Sequence, residues 1–267
     1  MSGGDFKDFV VLVTGASTGL GRAIAVETAT RGAATVLINY SRSVGEAAET
    51  AARVTAAGAK AIVVQGDVAN DADCQKIATA AAPFGRIDAL FNNAGVTKFA
   101  NDHGDLDAVS GDDFLRIYSV NVVGAFQMIR AARALLEAGP RPGAVVNTAS
   151  VAGVIGIGSS VPYAASKGAL VTMTLSLARA LAPAIRVNAI CPGFIDTPWF
   201  GNAMPAERLE RMREGVARSM PLKVASTAED IAGAAVFLAS PASRHVTGEA
   251  LMVDAGLHLG YAPLAMR

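Results

Sequence analysis

The chain is poor in the residues that staple or metallate small proteins. Its 267 residues include only two cysteines, Cys74 and Cys191, far apart in sequence. That count excludes a Cys-type metal site and argues against a disulfide framework. The three histidines, His103, His245 and His258, show no ligand spacing, so no metal is expected. No Ser/His/Asp triad is expected from them. Net charge is missing too. Lys plus Arg and Asp plus Glu both number 23, which leaves no field to draw nucleic acid or an anionic membrane. Long apolar runs are also absent. The first one is too short for a signal peptide. Residues 144–166 carry no charge, but Gly, Ser, Asn, Thr and Pro interrupt them throughout, unlike the ~20 mainly apolar residues of a membrane span. These absences predict a soluble, cytoplasmic protein with no nucleic-acid or membrane partner.

What is present is 52% hydrophobic residues, enough for a large core. Short β-branched runs at 9–15, 34–40, 60–67, 86–95, 143–150, 184–193 and 249–256 read as strands. Most are continuously apolar, the pattern of strands covered on both faces. Helical segments are expected near 19–31, 43–57, 70–82, 110–138, 161–182 and 227–239. Such alternation predicts an α/β fold, a doubly wound Rossmann-type parallel sheet of about seven strands with helices on both faces. No linker, repeat or composition shift divides the chain, so residues 1–267 are expected to form one domain, with 197–221 as an inserted helical flap.

"TGASTGLG" (14–21) joins the first strand to the first helix. Gly15 permits a tight turn, Gly19 lets backbone approach a pyrophosphate, and Gly21 lets helix pack on sheet. Ser17, Thr18 and Leu20 complete the turn, and the helix N-terminus offers free N–H groups to phosphate. An acidic residue would be expected at the end of the second strand to hold a ribose 2′-OH. Tyr40, Ser41 and Arg42 stand there instead. Without a carboxylate to repel a 2′-phosphate, and with Arg42 to pair it and Ser41 to donate to it, NADP(H) is favoured over NAD(H). Arg42 can equally be a solvated loop residue, and Thr18 offers no second basic clamp. Asp67 can accept from an adenine amine while Val68 backbone meets the ring; Asp67 can equally cap the helix at 70–82.

With these features in place, the chain resembles the short-chain dehydrogenase/reductase family, in its single-domain branch, from about residue 8 to residue 257. "TGASTGLG" is similar to its cofactor turn and "NNAG" (92–95) to its fourth-strand motif. Asn121, Ser150, Tyr163 and Lys167 fall in order at the positions of its catalytic tetrad, and "PG" (192–193) with Thr197 resembles its nicotinamide-side motif. Tyr40 and Thr18 depart from the commonest cofactor-selecting patterns, which bears on cofactor choice and not on fold.

The resemblance implies a division of labour. Tyr163 would be the acid/base; a free phenol, with pKa about 10, is sluggish at neutral pH. Lys167, one helical turn on, would lower that pKa by its charge and hold the nicotinamide ribose. Ser150 would donate to the substrate oxygen as charge develops. Asn121 would hold a water beside Lys167 by opening its helix locally. Asn93, Ala94 and Gly95 would close under the adenine ribose. Pro192, Gly193, Ile195 and Thr197 would bracket the nicotinamide, with Ile195 backbone on the carboxamide and Thr197 on a phosphate or the amide. Taken singly, Ser150 reads as a turn residue, Tyr163 as packing and Lys167 as a solvated charge; their order within a dinucleotide fold is what singles them out.

Ile155, Ile157, Trp199, Phe200 and Met204 can line an apolar pocket over the nicotinamide; the flap aromatics can equally be a packing lid or subunit contact. The expected activity is an NADP(H)-preferring interconversion of an alcohol with a ketone or aldehyde on a small molecule. Its rival is an NAD-dependent dehydrogenase of a sugar or cyclic diol. A cofactor-binding regulator without turnover would be expected to have lost the tyrosine or lysine. The resemblance also implies a homotetramer formed through helices 110–138 and 161–182.

Overall fold

The computed structural model describes residues 4–100, 102–201 and 205–260. Seven strands form one parallel sheet. They are β1 (Val10–Val13), β2 (Thr35–Tyr40), β3 (Lys60–Gln65), β4 (Ala89–Asn92), β5 (Gly143–Thr148), β6 (Ile185–Pro192) and, after two short strands, β9 (Ala250–Val253). Their spatial order is β3-β2-β1-β4-β5-β6-β9. The order reverses between β1 and β4, and it is outside the carboxyl ends of strands at such a reversal that doubly wound sheets bind ligands.

Continuous apolar runs make these strands because both faces are covered. Val11 and Val13 enter one core layer with α1 (Gly19–Thr30) and α10 (Ala228–Ala239). Val10 and Leu12, pointing the other way, enter a second layer with α3 (Asp71–Thr79) and α5 (Ala125–Glu137). The two-residue period of a strand sorts one run into two cores. Residues 144–166 comprise β5, the short α6 (Ala152–Ile155) and the start of α7 (Val161–Leu181). No helix among the described residues is long and apolar enough to cross a membrane.

The helix expected over 110–138 is not continuous. It runs as α4 (Gly111–Tyr118), passes through a π-helical stretch at Ser119–Gly124, and continues as α5. Ser110 and Asp113 cap its start reciprocally. The expected strand 86–95 is paired only over Ala89–Asn92, because residues 93–95 turn beneath the glycine loop. Between β6 and α10 lie β7 (Ile195–Asp196), α8 (Pro198–Gly201), α9 (Ala206–Ser219) and β8 (Ser226–Thr227). β7 pairs with β8 apart from the main sheet. The remaining helix, α2 (Val44–Ala56), links β2 to β3.

Candidate active site

The glycine turn leaves β1 with Gly15 and Gly19 at φ of 60° and 53°, the left-handed region that glycine occupies cheaply. Contact also demands glycine. A Cβ on Gly15 would stand 2.8 Å from Ala94 Cα, and one on Gly21 would stand 2.4 Å from the Gly15 carbonyl. Thr14 Oγ1 accepts from the N–H groups of Asn93 and Ala94, each at 3.0 Å, which fixes the 92–95 turn below the loop. Thr18 sits at the N-cap of α1 without capping it through its side chain, and the first turn carries no acid. Its N–H groups therefore face the cleft with the positive end of the helix dipole behind them.

A cavity of about 450 Å³ opens beside this turn, walled by Ser17, Ser41 and Arg42 on one side and Lys98, Asp113 and Arg116 on the other. Tyr40 closes β2. Asp67 does not cap α3; Asn70 does so, accepting from Ala72 and Asp73. Asp67 instead accepts from Ala69 N–H at 3.0 Å and faces Arg116 at 3.4 Å. Val68 is pinned through its carbonyl by Gln127 and Cys74, both at 3.2 Å. These groups fit a dinucleotide, since the glycines leave a cradle that a Cβ would fill and a helix N-terminus stands at the phosphate position. Arg42 adds a cation at the ribose end.

The four tetrad positions converge at the carboxyl ends of β4 and β5. Asn121, in the π-helical stretch, accepts from Val96 N–H at 2.8 Å and donates to the Val96 carbonyl and Ser166 Oγ, both at 3.0 Å. Wide π turns cluster at functional sites, and this one lets a mid-helix amide reach a neighbouring loop. Lys167 is buried and donates to the Thr148 carbonyl at 2.6 Å. Gly95 lies between the two, with a Cβ position 3.4 Å from Asn121 Oδ1 and 3.7 Å from Lys167 Nζ. Ser150 stands two residues past the end of β5, receives Ala152 N–H at 3.1 Å and shares a hydrogen bond with Tyr163. The Tyr163 ring lies with its centroid 5.7 Å from Lys167 Nζ.

The expected depression of the tyrosine by the lysine is reversed in this arrangement. Burial pushes the Tyr163 phenol up to about 12, and the Ser150 hydrogen bond offsets only part of that. Burial likewise pushes Lys167 down to about 8, against a smaller opposing pull from Cys191. Desolvation disfavours the charged form of each group, and Lys167 spends its hydrogen bond on a carbonyl. Cys191 is buried with its thiol pushed up to about 11, so it is a filler and not a nucleophile.

Backbone contacts set the height of this group. A Cβ on Gly153, in α6, would stand 2.4 Å from both Lys167 C and Gly168 N. The two helices thus touch main chain to main chain at the lysine. Gly158, at φ 141°, lies against the Tyr163 ring.

Pro192 and Gly193 leave β6, and Gly193 packs on Asp254, where a Cβ would be 2.9 Å from Asp254 Cβ. Ile195 is in β7. Thr197 packs on Gly19, its Cγ2 3.3 Å from where a Cβ would be. Trp199 comes to the Tyr163 ring, centroids 6.4 Å apart. Ile155 and Ile157 are exposed in the stretch that follows Ser150. Phe200 belongs to α8, and its side chain is outside the description; Met204 lies outside the described residues. Among the described residues no cluster of His, Cys, Asp or Glu could hold a metal.

Sequence reasoning missed three features here. Thr97 Oγ1 and Ser159 Oγ bridge the two loops flanking the tyrosine at 2.5 Å. Arg116 and Lys98 form the far wall of the large cavity. Asp196 and Arg213 join β7 to α9. The acid directly before Thr197 was the one visible signal for the last of these.

Comparison with known proteins agrees with this geometry. Residues 15–258 match the sequence family described as enoyl-(acyl carrier protein) reductase. A chain named ketoacyl reductase 2 of the granaticin polyketide synthase, from Streptomyces violaceoruber, is 39% identical over 94% of this chain and 96% of its own length. An L-rhamnose 1-dehydrogenase (NAD(P)(+)) from Sphingomonas sp. is 37% identical over 93% and 96% of the two chains. A crystal structure described as a short-chain dehydrogenase/reductase from Burkholderia xenovorans is 38% identical. It superposes with a TM-score of 0.86 over 95% of this chain and 99% of that one.

Proposed function

Because this chain belongs to the short-chain dehydrogenase/reductase family, and so is an NAD(P)-dependent oxidoreductase of alcohols and carbonyls, we propose that it prefers NADP(H) and uses Tyr163 as its acid/base. The observation that carries the catalytic part is Tyr163 bonded to Ser150, with the Lys167 ammonium near its ring. Bound in the cleft, the nicotinamide supplies or accepts the hydride.

The protein's own groups handle the proton. A phenol at about 12 keeps its proton throughout the neutral range and stands ready to give it to a nascent alkoxide. Ser150 Oγ, fixed by Ala152 N–H, holds the substrate oxygen where Tyr163 can reach it. In the oxidative direction the tyrosine must lose its proton first. Lys167 helps only while charged, which below pH of about 8 it is. Asn121 keeps the helix open at Val96 and buttresses Ser166, in the turn before the lysine.

Support for NADP(H) comes from Arg42 and Ser41, which share a cavity wall with Ser17 where the second strand carries no acid. The wall opposite carries Lys98 and Arg116, each already paired, with Asp113 and Asp67. The experiment is a titration of reduced-nicotinamide fluorescence with NADPH and NADH, paired with a panel of ketones, aldehydes, sugars and cyclic diols. Tighter NADPH binding that Arg42→Ala abolishes is expected. Equal or tighter NADH binding by the wild type would overturn the preference.

Apolar side chains on α5 and α7 stand exposed, among them Phe126 and Leu175. They support the proposal that these helices pack against other copies in a homotetramer. Light scattering on the purified protein checks this: a four-chain mass is expected, and a monomer at micromolar concentration would remove it.

A further inference from the structure

We propose that Arg213, on the flap helix, is a positioning residue for the cofactor side of the cleft. Through Asp196 it holds Thr197 on the glycine turn and Trp199 on the Tyr163 ring. The proposal rests on the reading that the cleft takes a nicotinamide dinucleotide.

The segment that carries Thr197 and Trp199 is weakly held by the main fold. β7 is two residues long and pairs only with the equally short β8. α9 buries one side chain, Leu209, among the residues it contains. Across this thin packing Arg213 reaches Asp196 with one hydrogen bond and one further ion contact. Nη2 donates to Oδ1 at 2.8 Å, and Nε lies 2.7 Å from Oδ2. The guanidinium thus meets both carboxylate oxygens, through one charge-assisted hydrogen bond and the ion contact beside it. Glu210, one turn earlier on α9, takes Nη1 at 3.0 Å and steadies the guanidinium from its own helix. Both partners raise the Arg213 pKa from its ordinary value, so the cation persists at every working pH.

Asp196 stands next to Thr197, and Thr197 touches the turn at Gly19. Two residues further, Trp199 meets Tyr163. The ion pair is therefore one residue from the phosphate side of the cleft and three from the catalytic side. Displacing Asp196 by an ångström carries both with it, and reacting groups tolerate such misplacement poorly. Lys at 213 would keep the charge but lose the fork.

The chain has a single tryptophan, Trp199, so intrinsic fluorescence reports this segment alone. Arg213→Ala, Arg213→Lys and Asp196→Asn would be compared with the wild type, with circular dichroism checking that each is folded. In Arg213→Ala, Trp199 emission should shift to the red and become more accessible to acrylamide before any cofactor is added. Dissociation of NADPH should quicken about tenfold, with KM for cofactor rising more than kcat falls. Arg213→Lys should recover part of both effects, and Asp196→Asn should repeat the Ala result. Emission and dissociation rate unchanged in Arg213→Ala and Asp196→Asn would overturn the proposal. So would a thermal shift without change in either readout, since that is what a merely structural pair would give. A wild type that binds neither NADPH nor NADH would instead strike down the reading of the cleft, while the emission and acrylamide measurements would still decide the role of Arg213.

Discussion

The two walls of the cleft are built by different means. One wall, made by the ends of β4 and β5 with α7, is held from inside. Asn92 donates to Asn147 at 3.0 Å, Asn147 donates to Thr174 at 2.9 Å, and all three are buried. Above them Lys167, Asn121 and Ser150 are buried too. The other wall, from β7 through α9, is held from outside by a partly exposed ion pair on a helix with one buried side chain. Buried polar networks cost a great deal when half satisfied, so they fix a unique geometry. Exposed pairs are worth little individually and yield to substitution. The groups proposed to move the proton stand on the fixed wall and Trp199 on the yielding one.

The largest effect that could break this contrast lies on the fixed wall. Tyr163→Phe should lower turnover by about 10²–10⁴-fold while leaving cofactor affinity intact, read by reduced-nicotinamide absorbance and by fluorescence titration. Turnover within a few-fold of wild type would remove the tyrosine from the chemistry.

Next comes pH. Lys167 has a folded pKa of about 8 against 10.5 for the free side chain, so the fold opposes its charge. Below pH 8 both states are protonated and the penalty is fully present. Between about 8 and 10.5 the unfolded chain binds the proton and the folded one does not, so stability rises with pH. Relative to Lys167→Met, the wild type should gain up to about 3 kcal/mol over that window, measured by urea unfolding of both proteins. A constant difference would mean that the lysine is less buried than described.

Smaller still, Asn147→Ala should cost about 1–3 kcal/mol by removing one buried hydrogen bond from Asn92 and one from Thr174. Asn92 Oδ1 already lacks a partner, which leaves little slack. Urea unfolding reads the loss directly. The smallest effect is expected at the cleft rim: Ile157→Ala should change KM a few-fold among carbonyl substrates, with unfolding free energy unmoved. A rim substitution that destabilised the protein as much as Asn147→Ala would erase the contrast between the walls.

Much of the fixed wall could be read from the chain. Val10 to Val13 announce a buried strand because no polar residue interrupts them, and glycines announce the turn because a Cβ at 15 or 21 collides with main chain and 19 holds a positive φ. The order of Asn121, Ser150, Tyr163 and Lys167 pointed to one site, and the opening of the helix at Asn121 was expected from that asparagine's position. The tyrosine's elevated pKa was not legible. It depends on how much of α7 is covered, and on Lys167 turning to the Thr148 carbonyl, both products of packing. Asp67 was ambiguous until Asn70 proved to be the cap. The yielding wall was least legible, since the pairing of Asp196 with Arg213 joins a short strand to a helix 17 residues on and is local to neither.

The contact of Gly153 with Gly168 also sets a boundary on how this enzyme can change. Beyond residue 153 the chain is exposed through Gly158, and the side chains of Val154, Ile155 and Ile157 can be exchanged there, whereas Gly156 and Gly158 hold positive φ. At 153 itself any side chain would enter the main chain that carries Lys167. A library built on this scaffold can randomise 154, 155 and 157, but every variant that survives should still carry glycine at 153. The loop is a variable region with one fixed post, and the post stands at the lysine.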